Sequence, residues 1–371
     1  MSKLKRQLIF CTDGVFPHAI GGMQRHSTLL LEELAKIGTW EIIVIHPHDK
    51  KVFDDSLGFK EISIPFDFSG FYIKKQYNYS KEVFKVINQY PEALVYAQGF
   101  SVLYGMPKIG HRVIVNQHGL EPFQGLTFSD KYKTLPMRLM EQYQFRYASK
   151  VVSLGGKLTS IISNVLGGNR DKIAVLPNAV NPGPEPIRTF EKEKLELLYV
   201  GRFASNKGID VLMEAVKSMN AEGYQERLNF NIVGKGPLFE KYTSTYNFPN
   251  VKFHGFADDE KLQSLYRSCD LFVFPTLFEG MPTVVLEAMA GGMPIVVTDT
   301  GATAELVDSK NGYLIETKNM RSLKWGIQSF YQLDAKKRLE LSLASRRKVL
   351  KHFTWPIVAK KHVELFESFL K

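Results

Sequence analysis

A chain of 371 residues with 44% apolar and 23% charged side chains has an ordinary folded composition and room for two or three domains, which excludes a disordered tail, a collagen and a disulfide scaffold. Its 48 basic and 38 acidic side chains leave a formal charge of +10, with 22 basic and 16 acidic ones in residues 1–185. That surplus suits a polyanionic partner (a phosphorylated substrate, anionic lipid or nucleic acid) or a Lys-rich solvated surface.

The basic start, Met1-Ser-Lys-Leu-Lys-Arg, leads into one short apolar run, Gln7 to Cys11, which reads as a strand and not as a signal peptide. Cys11 and Cys269 each lie inside an apolar run and read as buried thiols, so a reducing, cytoplasmic setting is expected. No run approaches the roughly 18 apolar residues that a spanning helix needs. The spacing of Leu29, Leu30, Leu34 and Ile37 predicts a helix ending near Gly38, followed by a strand over Glu41 to His46. Further strands are expected over Ala93 to Ala97, Val113 to Asn116, Val151 to Leu154 and Ile173 to Leu176. Between Pro177 and Lys194 four prolines and a glycine interrupt the pattern, which predicts a linker. The alternation then restarts. Strands are predicted over Leu195 to Val200, Leu228 to Val233, Val251 to His254, Leu271 to Phe274 and Pro294 to Thr298. Helices are predicted over Gly208 to Met219, Asp259 to Ser268 and Thr283 to Ala290. A last helix opens at Thr354-Trp-Pro, with a Thr cap and Pro in its first turn. Two parallel α/β units joined by a Pro-rich hinge account for this order.

Three constellations in the second half carry chemistry. After the strand ending at Val200 come Gly201, Arg202 and Lys207; ligands bind outside the carboxyl ends of such strands, and both cations suit phosphate. Ile232-Val-Gly-Lys-Gly-Pro brings Gly234 and Gly236, where backbone can approach a ligand closely. Alone that turn says little, because the third glycine of a dinucleotide fingerprint is missing. The third constellation is Phe278-Glu-Gly-Met-Pro-Thr-Val-Val-Leu-Glu. Pro282 is placed to be the first residue of a helix, so the N–H groups around Met281 to Val284 form a positive terminus suited to phosphate. Glu287, on an otherwise apolar helix, needs donors, and ribose hydroxyls or a structural ion pair would supply them.

Glu279 and Glu287 enclose seven residues, and this resembles the E-x7-E motif of family 4 retaining glycosyltransferases of the GT-B fold. Gly201-Arg-Phe…Lys207-Gly, Val233-Gly-x-Gly-Pro, His254-Gly-Phe, Tyr266-x-x-Cys-Asp-Leu-Phe-Val-Phe-Pro, Gly301…Glu305 and Asn311-Gly-Tyr-Leu are similar to that family in order and spacing. The resemblance implies two Rossmann-like domains facing each other across a cleft: an acceptor domain over residues 1–180, joined by 356–371 crossing back, and a nucleotide-sugar domain over 190–355. It implies that Arg202 and Lys207 hold a diphosphate, that Glu287 binds ribose, and that Glu279 sits beside the donor sugar. Gly234, Gly236, Phe256, Gly280, Met281, Thr283 and Val284 would line the donor site.

In the first half, Ala19-Ile-Gly-Gly opens the first helix. Gly21 and Gly22 could admit phosphate or sugar, or make a plain turn. His118, just past a strand, matches the histidine that contacts the donor sugar in the family. His46 and His48 read as loop residues. Asp258-Asp-Glu precedes an apolar-periodic helix and reads as a cap, not a metal motif. With no metal or cofactor expected, Arg202, Lys207 and the helix terminus would neutralise the departing diphosphate. Two departures from the family, Asn178-Ala-Val-Asn181 and Gly301-Ala-Thr-Ala, touch no expected chemistry. Phe66 to Tyr79, aromatic and basic, suits either an anionic membrane with a lipid-linked acceptor or the acceptor pocket of a soluble enzyme.

The resulting expectation is a metal-independent retaining hexosyltransferase. It would use a nucleoside-diphosphate sugar, UDP favoured, and a glycan or lipid-linked acceptor, in polysaccharide or glycolipid assembly. Two rivals are a GT-B nucleotide-sugar epimerase, which the Glu279/Glu287 spacing disfavours, and a nucleic-acid-binding module. The second is disfavoured because the basic residues are dispersed and no helix-turn-helix, zinc or stacking motif is present.

Overall fold

The computed structural model describes residues 6–19, 21–125 and 132–370; the basic segment 1–5 and Ile20 of the Gly-pair turn lie outside the described residues. The chain forms two compact units, residues 1–178 with 355–371, and residues 179–354.

The first unit is a seven-stranded sheet of β1 Arg6–Cys11, β2 Trp40–His46, β3 Lys60–Ser63, β4 Leu94–Gln98, β5 Val113–Asn116, β6 Lys150–Ser153 and β7 Ile173–Val175. Its order is β3-β2-β1-β4-β5-β6-β7, and every pair is parallel. Strands covered on both faces read as near-continuous apolar runs, and Leu8, Ile9, Phe10, Val95, Ile114 and Val115 are accordingly buried. The helix Gly22–Ile37 ends where Gly38 turns left-handed (φ 69°) and its N–H donates to the Leu34 carbonyl. His46 ends β2, buried and hydrogen-bonded to Glu61 Oε2 at 3.0 Å; it closes the strand expected over Glu41 to His46 and is not the loop residue that its His-Pro-His setting suggested. His48 does lie in the loop, where its Nε2 accepts the Val15 N–H at 3.0 Å.

The second unit is a six-stranded sheet ordered β10-β9-β8-β11-β12-β13, again parallel throughout. Its strands are β8 Leu195–Val200, β9 Leu228–Val233, β10 Val251–Gly255, β11 Leu271–Phe274, β12 Ile295–Thr298 and β13 Gly312–Ile315. Both sheets reverse direction of growth beside their first strand, between β1 and β4 and between β8 and β11. Connections leaving in opposite directions open a crevice at the strands' carboxyl ends there.

The Pro-rich stretch is not a free tether. It lacks helix and strand apart from a single bridge at Val180, but arginines fasten it to the second unit. Arg188 donates to the carbonyls of Tyr266, Cys269 and Gly291, and Arg346 donates to those of Pro182 and Gly183 at 3.1 and 3.0 Å. Ala179 and Val180 also belong to this unit: the Val180 N–H donates to the Phe353 carbonyl at 2.9 Å, and Val180 bridges Thr354.

The last helix, Trp355–Glu367, returns to the first unit. It lies against Gly22–Ile37, with Phe366 edge-on to Trp40 and Tyr96 at 6.0 and 5.4 Å between ring centres. Both cysteines are buried and free. Among the described residues no helix is long and apolar enough to cross a membrane.

Candidate active site

In the second unit the crevice between β8 and β11 gathers the loop 201–208 and the loop 275–282. Backbone bonds hold them: Gly201 N–H to the Val233 carbonyl and Phe203 N–H to the Lys235 carbonyl, each 3.0 Å, and Leu277 N–H to the Asn206 carbonyl at 2.9 Å. The outcome is one close contact of opposite charge. Lys207 Nζ donates to Glu279 Oε1 at 2.5 Å, both side chains mostly shielded, and the Thr276 hydroxyl lies 3.2 Å from the same oxygen. An ammonium has three donors, so Lys207 can hold Glu279 and still reach an anion. Arg202, on the same loop, is exposed and makes no side-chain hydrogen bond among the described residues.

The helix Thr283–Ala290 begins directly after this loop. Pro282 is its cap residue, with an extended backbone (φ −69°, ψ 118°), and not its first helical residue as expected. The cap's carbonyl receives the Val285 N–H at 3.2 Å, which leaves the N–H groups of Thr283 and Val284 at the open end of the helix. The turn at Gly301 supports the loop from behind: the Ala302 N–H donates to the Gly280 carbonyl at 2.8 Å. Glu287, half-buried, accepts the Tyr266 hydroxyl at 2.9 Å. Gly280 and Met281 are buried, and Phe256 is strongly exposed. The room at Gly234 and Gly236 is used by the chain itself, since a Cβ would stand 1.9 Å from the Gly201 carbonyl oxygen and 2.6 Å from that of Phe203.

His118, Gly21 and Gly22 belong to the first unit, beyond β5 and at the start of Gly22–Ile37. Gly21 is that helix's cap residue, and a Cβ on it would collide with Gln24 Oε1. His118 Nε2 bonds to Gln98 Oε1, and its ring meets His26 edge-on at 4.5 Å. Burial, with the charge of His362 second, lowers its pKa to about 3, so it is a neutral imidazole at any ordinary pH. The stretch Phe66 to Tyr79 is loop only as far as Phe71; Tyr72–Ile87 is a helix. Phe66 and Phe68 pack on buried Tyr79, while Phe71, Tyr72 and Tyr77 face outward. Asp258 caps its helix by accepting the Lys261 N–H at 2.8 Å. Among the described residues, no three His, Cys, Asp or Glu side chains are grouped to hold a metal ion.

Known proteins match both units. Residues 20–183 match the family Glycosyltransferase Family 4, and residues 185–348 match Glycosyl transferases group 1. The chain is a GT-B glycosyltransferase by family and fold. An uncharacterized glycosyltransferase of Methanocaldococcus jannaschii is 27% identical over 66% of this chain and 65% of its own length. A putative colanic acid biosynthesis glycosyltransferase of Escherichia coli is 28% identical over 55% of this chain and 53% of its own. The chain thus spans about half to two thirds of these curated relatives. Among solved GT-B structures, sucrose-phosphate synthase of Thermosynechococcus elongatus superposes with a TM-score of 0.78 at 20% identity, covering 98% of this chain and 99% of that one. Anabaena HepE in complex with UDP and glucose gives 0.70 at 18%, covering 98% and 100%.

Sequence reasoning missed several polar residues that this GT-B chain buries. Tyr266 and Thr276 donate to Glu287 and Glu279, but Tyr266 reads as one apolar-face residue of its helix and Thr276 as part of an apolar run, so neither hydroxyl stands out in the pattern. Glu141 and Gln144 were legible in principle: both fall on the buried face of the helix Leu135–Tyr147 with Phe145, at helical spacing from one another.

Proposed function

We propose that this glycosyltransferase moves a hexosyl unit, with retention at C1, from a nucleoside-diphosphate sugar to an acceptor hydroxyl. The second unit binds the donor and the first binds the acceptor. The observation that carries this reading is the convergence of Lys207, Glu279 and the open end of Thr283–Ala290 at the reversal of the second sheet. Lys207, Arg202 and the amides of Thr283 and Val284 take the diphosphate; charge builds on it as the C1–O bond breaks, and fixed donors there lower the barrier most. Glu279 contacts the sugar, and Glu287, steadied by Tyr266, takes the ribose hydroxyls. His118, being neutral, serves as a hydrogen-bonding partner of the sugar and not as a cation. Gly21, Gly22, Gly280 and Met281 bring backbone to the ligand, and Phe256 flanks the base. The leaving phosphate accepts the acceptor's proton in a front-face attack, so no metal is required.

A uridine donor is supported by the Anabaena relative, solved with UDP and glucose. Envelope polysaccharide as product is supported by the Escherichia coli relative's description as a putative colanic acid enzyme. The outward Phe71, Tyr72 and Tyr77 support contact with an anionic membrane from the inner face, where a lipid-linked acceptor would lie. Thermal shift with UDP, GDP, ADP and dTDP tests the donor site: UDP is expected to raise the midpoint most, and Lys207→Ala to reduce that shift by at least half. Transfer that a chelator abolishes and Mg²⁺ restores would overturn metal independence, and a product of inverted anomeric configuration would overturn retention.

A further inference from the structure

Residues 46–48 form a rigid post at the end of β2. The His46 and Pro47 carbonyls accept the N–H groups of Ile64 and Phe66 at 2.9 and 3.1 Å, and the His48 carbonyl accepts the Ser63 hydroxyl. The His48 N–H donates to His46 Nδ1 at 3.3 Å. That leaves the His46 proton on Nε2, which donates to Glu61 Oε2 at 3.0 Å. Glu61 is held in turn by the N–H groups of Val52 and Phe53 at 2.8 and 3.1 Å. From this post the half-buried His48 ring reaches the loop after β1, residues 12–19, where its Nε2 accepts the Val15 N–H at 3.0 Å. The Val15 carbonyl accepts the Ala19 N–H at 2.8 Å. Val15 thus commits one backbone group to the post and the other to closing the loop just before Gly21. On its other side the loop is bonded to the helix Gly22–Ile37: the Phe16 N–H donates to Thr28 Oγ1 and that hydroxyl lies against the Phe16 carbonyl, each at 3.1 Å.

The loop that leads to the glycine pair is therefore clamped twice, by Thr28 and by His48, and only the second clamp titrates. A hydroxyl accepts at any pH, whereas an imidazole nitrogen accepts only while it carries no proton. Acceptance at Nε2 places the single His48 proton on Nδ1. A second proton would turn Nε2 into a donor facing the Val15 N–H, and the bond would be lost. The groups that face this ring are His46 and Asp49 on its own segment and His18 on the loop it holds, with Glu61 behind His46. The His46 and His18 ring centres lie 5.5 and 5.4 Å away. Burial first, then His46 and His18, lowers the His48 pKa from its ordinary value, so the accepting form prevails at neutral pH and acid removes it. With Thr28 still in place, loss of the His48 bond frees the loop without unfolding the sheet.

We infer that His48 is a positioning residue for glycosyl transfer: through Val15 it holds the loop 12–19 and so sets where Gly21 and Gly22 meet the ligand. This rests on the reading above, in which the glycine pair brings backbone to the ligand. Two variants of the full chain separate the bond from the bulk. His48→Leu fills the space without an acceptor, and His48→Gln supplies a carbonyl oxygen that accepts the Val15 N–H at any pH. Amide exchange at Val15, corrected for intrinsic rate, is expected to be at least tenfold faster in His48→Leu at pH 7.5 and near the wild-type rate in His48→Gln. Between pH 7.5 and 5 it should speed up in the wild type and stay level in His48→Gln. Turnover is read as UDP release from whichever of UDP-glucose, UDP-galactose and UDP-N-acetylglucosamine the wild type uses best. Its kcat/KM should fall at least tenfold in His48→Leu with the thermal midpoint nearly unchanged, and return in His48→Gln, whose acid limb lies at least half a pH unit lower than that of the wild type. Val15 exchange unmoved by His48→Leu, full turnover in that variant, equal loss in both variants or an acid limb that does not shift would each overturn the inference. Wild-type protein that turns over none of the three sugars sinks the donor reading instead, and Val15 exchange then decides by itself whether His48 holds the loop.

Discussion

Gly301 shows how one missing carbon can hold the Glu279 loop in place. Its backbone is left-handed (φ 55°), and a Cβ there would sit 2.1 Å from the Glu279 carbonyl oxygen and 2.4 Å from that of Gly280. Neither neighbour is a flexible side chain that could step aside. Gly301→Ala therefore combines an unfavourable dihedral with a backbone collision, at a cost of about 2 kcal/mol, and the displacement falls on the loop that carries Glu279. A thermal midpoint several degrees lower and a transfer rate down by at least tenfold are expected; full activity in a normally folded variant would show that the Glu279 loop tolerates the shift. The Lys207–Glu279 pair shows how far the sequence reached. The Arg202/Lys207 and Glu279/Glu287 motifs were legible because each follows a strand run at a glycine-marked turn. That Lys207 would bond Glu279 was not, because 72 positions of chain separate them and only the β8–β11 pairing brings them together.

The helix Trp355–Glu367 packs on a cluster of histidines that titrate far below their ordinary range. Trp355 and His362 pack around His26, with ring centres 5.2 and 6.1 Å away, and His26 in turn meets His118. His362 Nδ1 donates to its own helix at Val358, 2.9 Å away, so its Nε2 accepts the Tyr96 hydroxyl at 3.0 Å, which accepts from Asn116 at 2.9 Å. Burial dominates the titration of all three imidazoles: His26 falls well below its ordinary value, His118 to about 3 and His362 to about 4. Below the ordinary histidine value near 6.5 the unfolded chain binds protons that the folded cluster refuses. Each ring then forfeits up to about 1.4 kcal/mol of stability per pH unit as pH falls toward its folded value. Asp13 and Glu141, raised by burial to about 6 and about 8, act in the opposite sense, so a global midpoint mixes the two effects. The local readout is clean: amide exchange in 355–367, corrected for intrinsic rate, should speed up between pH 6.5 and 5 relative to the helix Ile209–Ala221. Equal pH dependence in both helices would remove the histidines from this role. Periodicity foretold this helix and its Thr-Trp-Pro start. The family resemblance, not periodicity, foretold which unit it joins, because a helix's apolar stripe does not say which surface will cover it.

At the scale of the molecule, two parallel α/β units were readable from alternation alone, and β5, β8, β9 and β11 fall on the residues expected, whereas the edge strands β3 and β13 and the strand orders were not foreseen. The buried runs that fill these central strands cannot be mistaken for solvent-facing ones. The Pro-rich stretch was read as a hinge because proline forbids helix and sheet. What composition could not convey is that Arg188 would reach from the stretch to the carbonyls of Tyr266, Cys269 and Gly291, and that Arg346 would hold the stretch's own carbonyls at Pro182 and Gly183. Glu141 was legible only in part: its spacing puts it on one helix face with Gln144 and Phe145, but does not say that this face would be covered.

The division of the chain has a consequence for how the protein is made. A ribosome delivers residues 1–178 first, yet the surface on which Trp40, Tyr96 and His26 await Trp355, His362 and Phe366 stays uncovered until all of 179–354 has emerged. The second unit is contiguous and can close as soon as it leaves the tunnel; the earlier-born unit must wait for the helix Trp355–Glu367. A chain stopped after His352 should accordingly keep a cooperative transition for 179–352 while its amino-terminal half binds a hydrophobic dye, and adding the peptide 353–371 in trans should quench that fluorescence. Synthesis order and maturation order run opposite ways in this molecule.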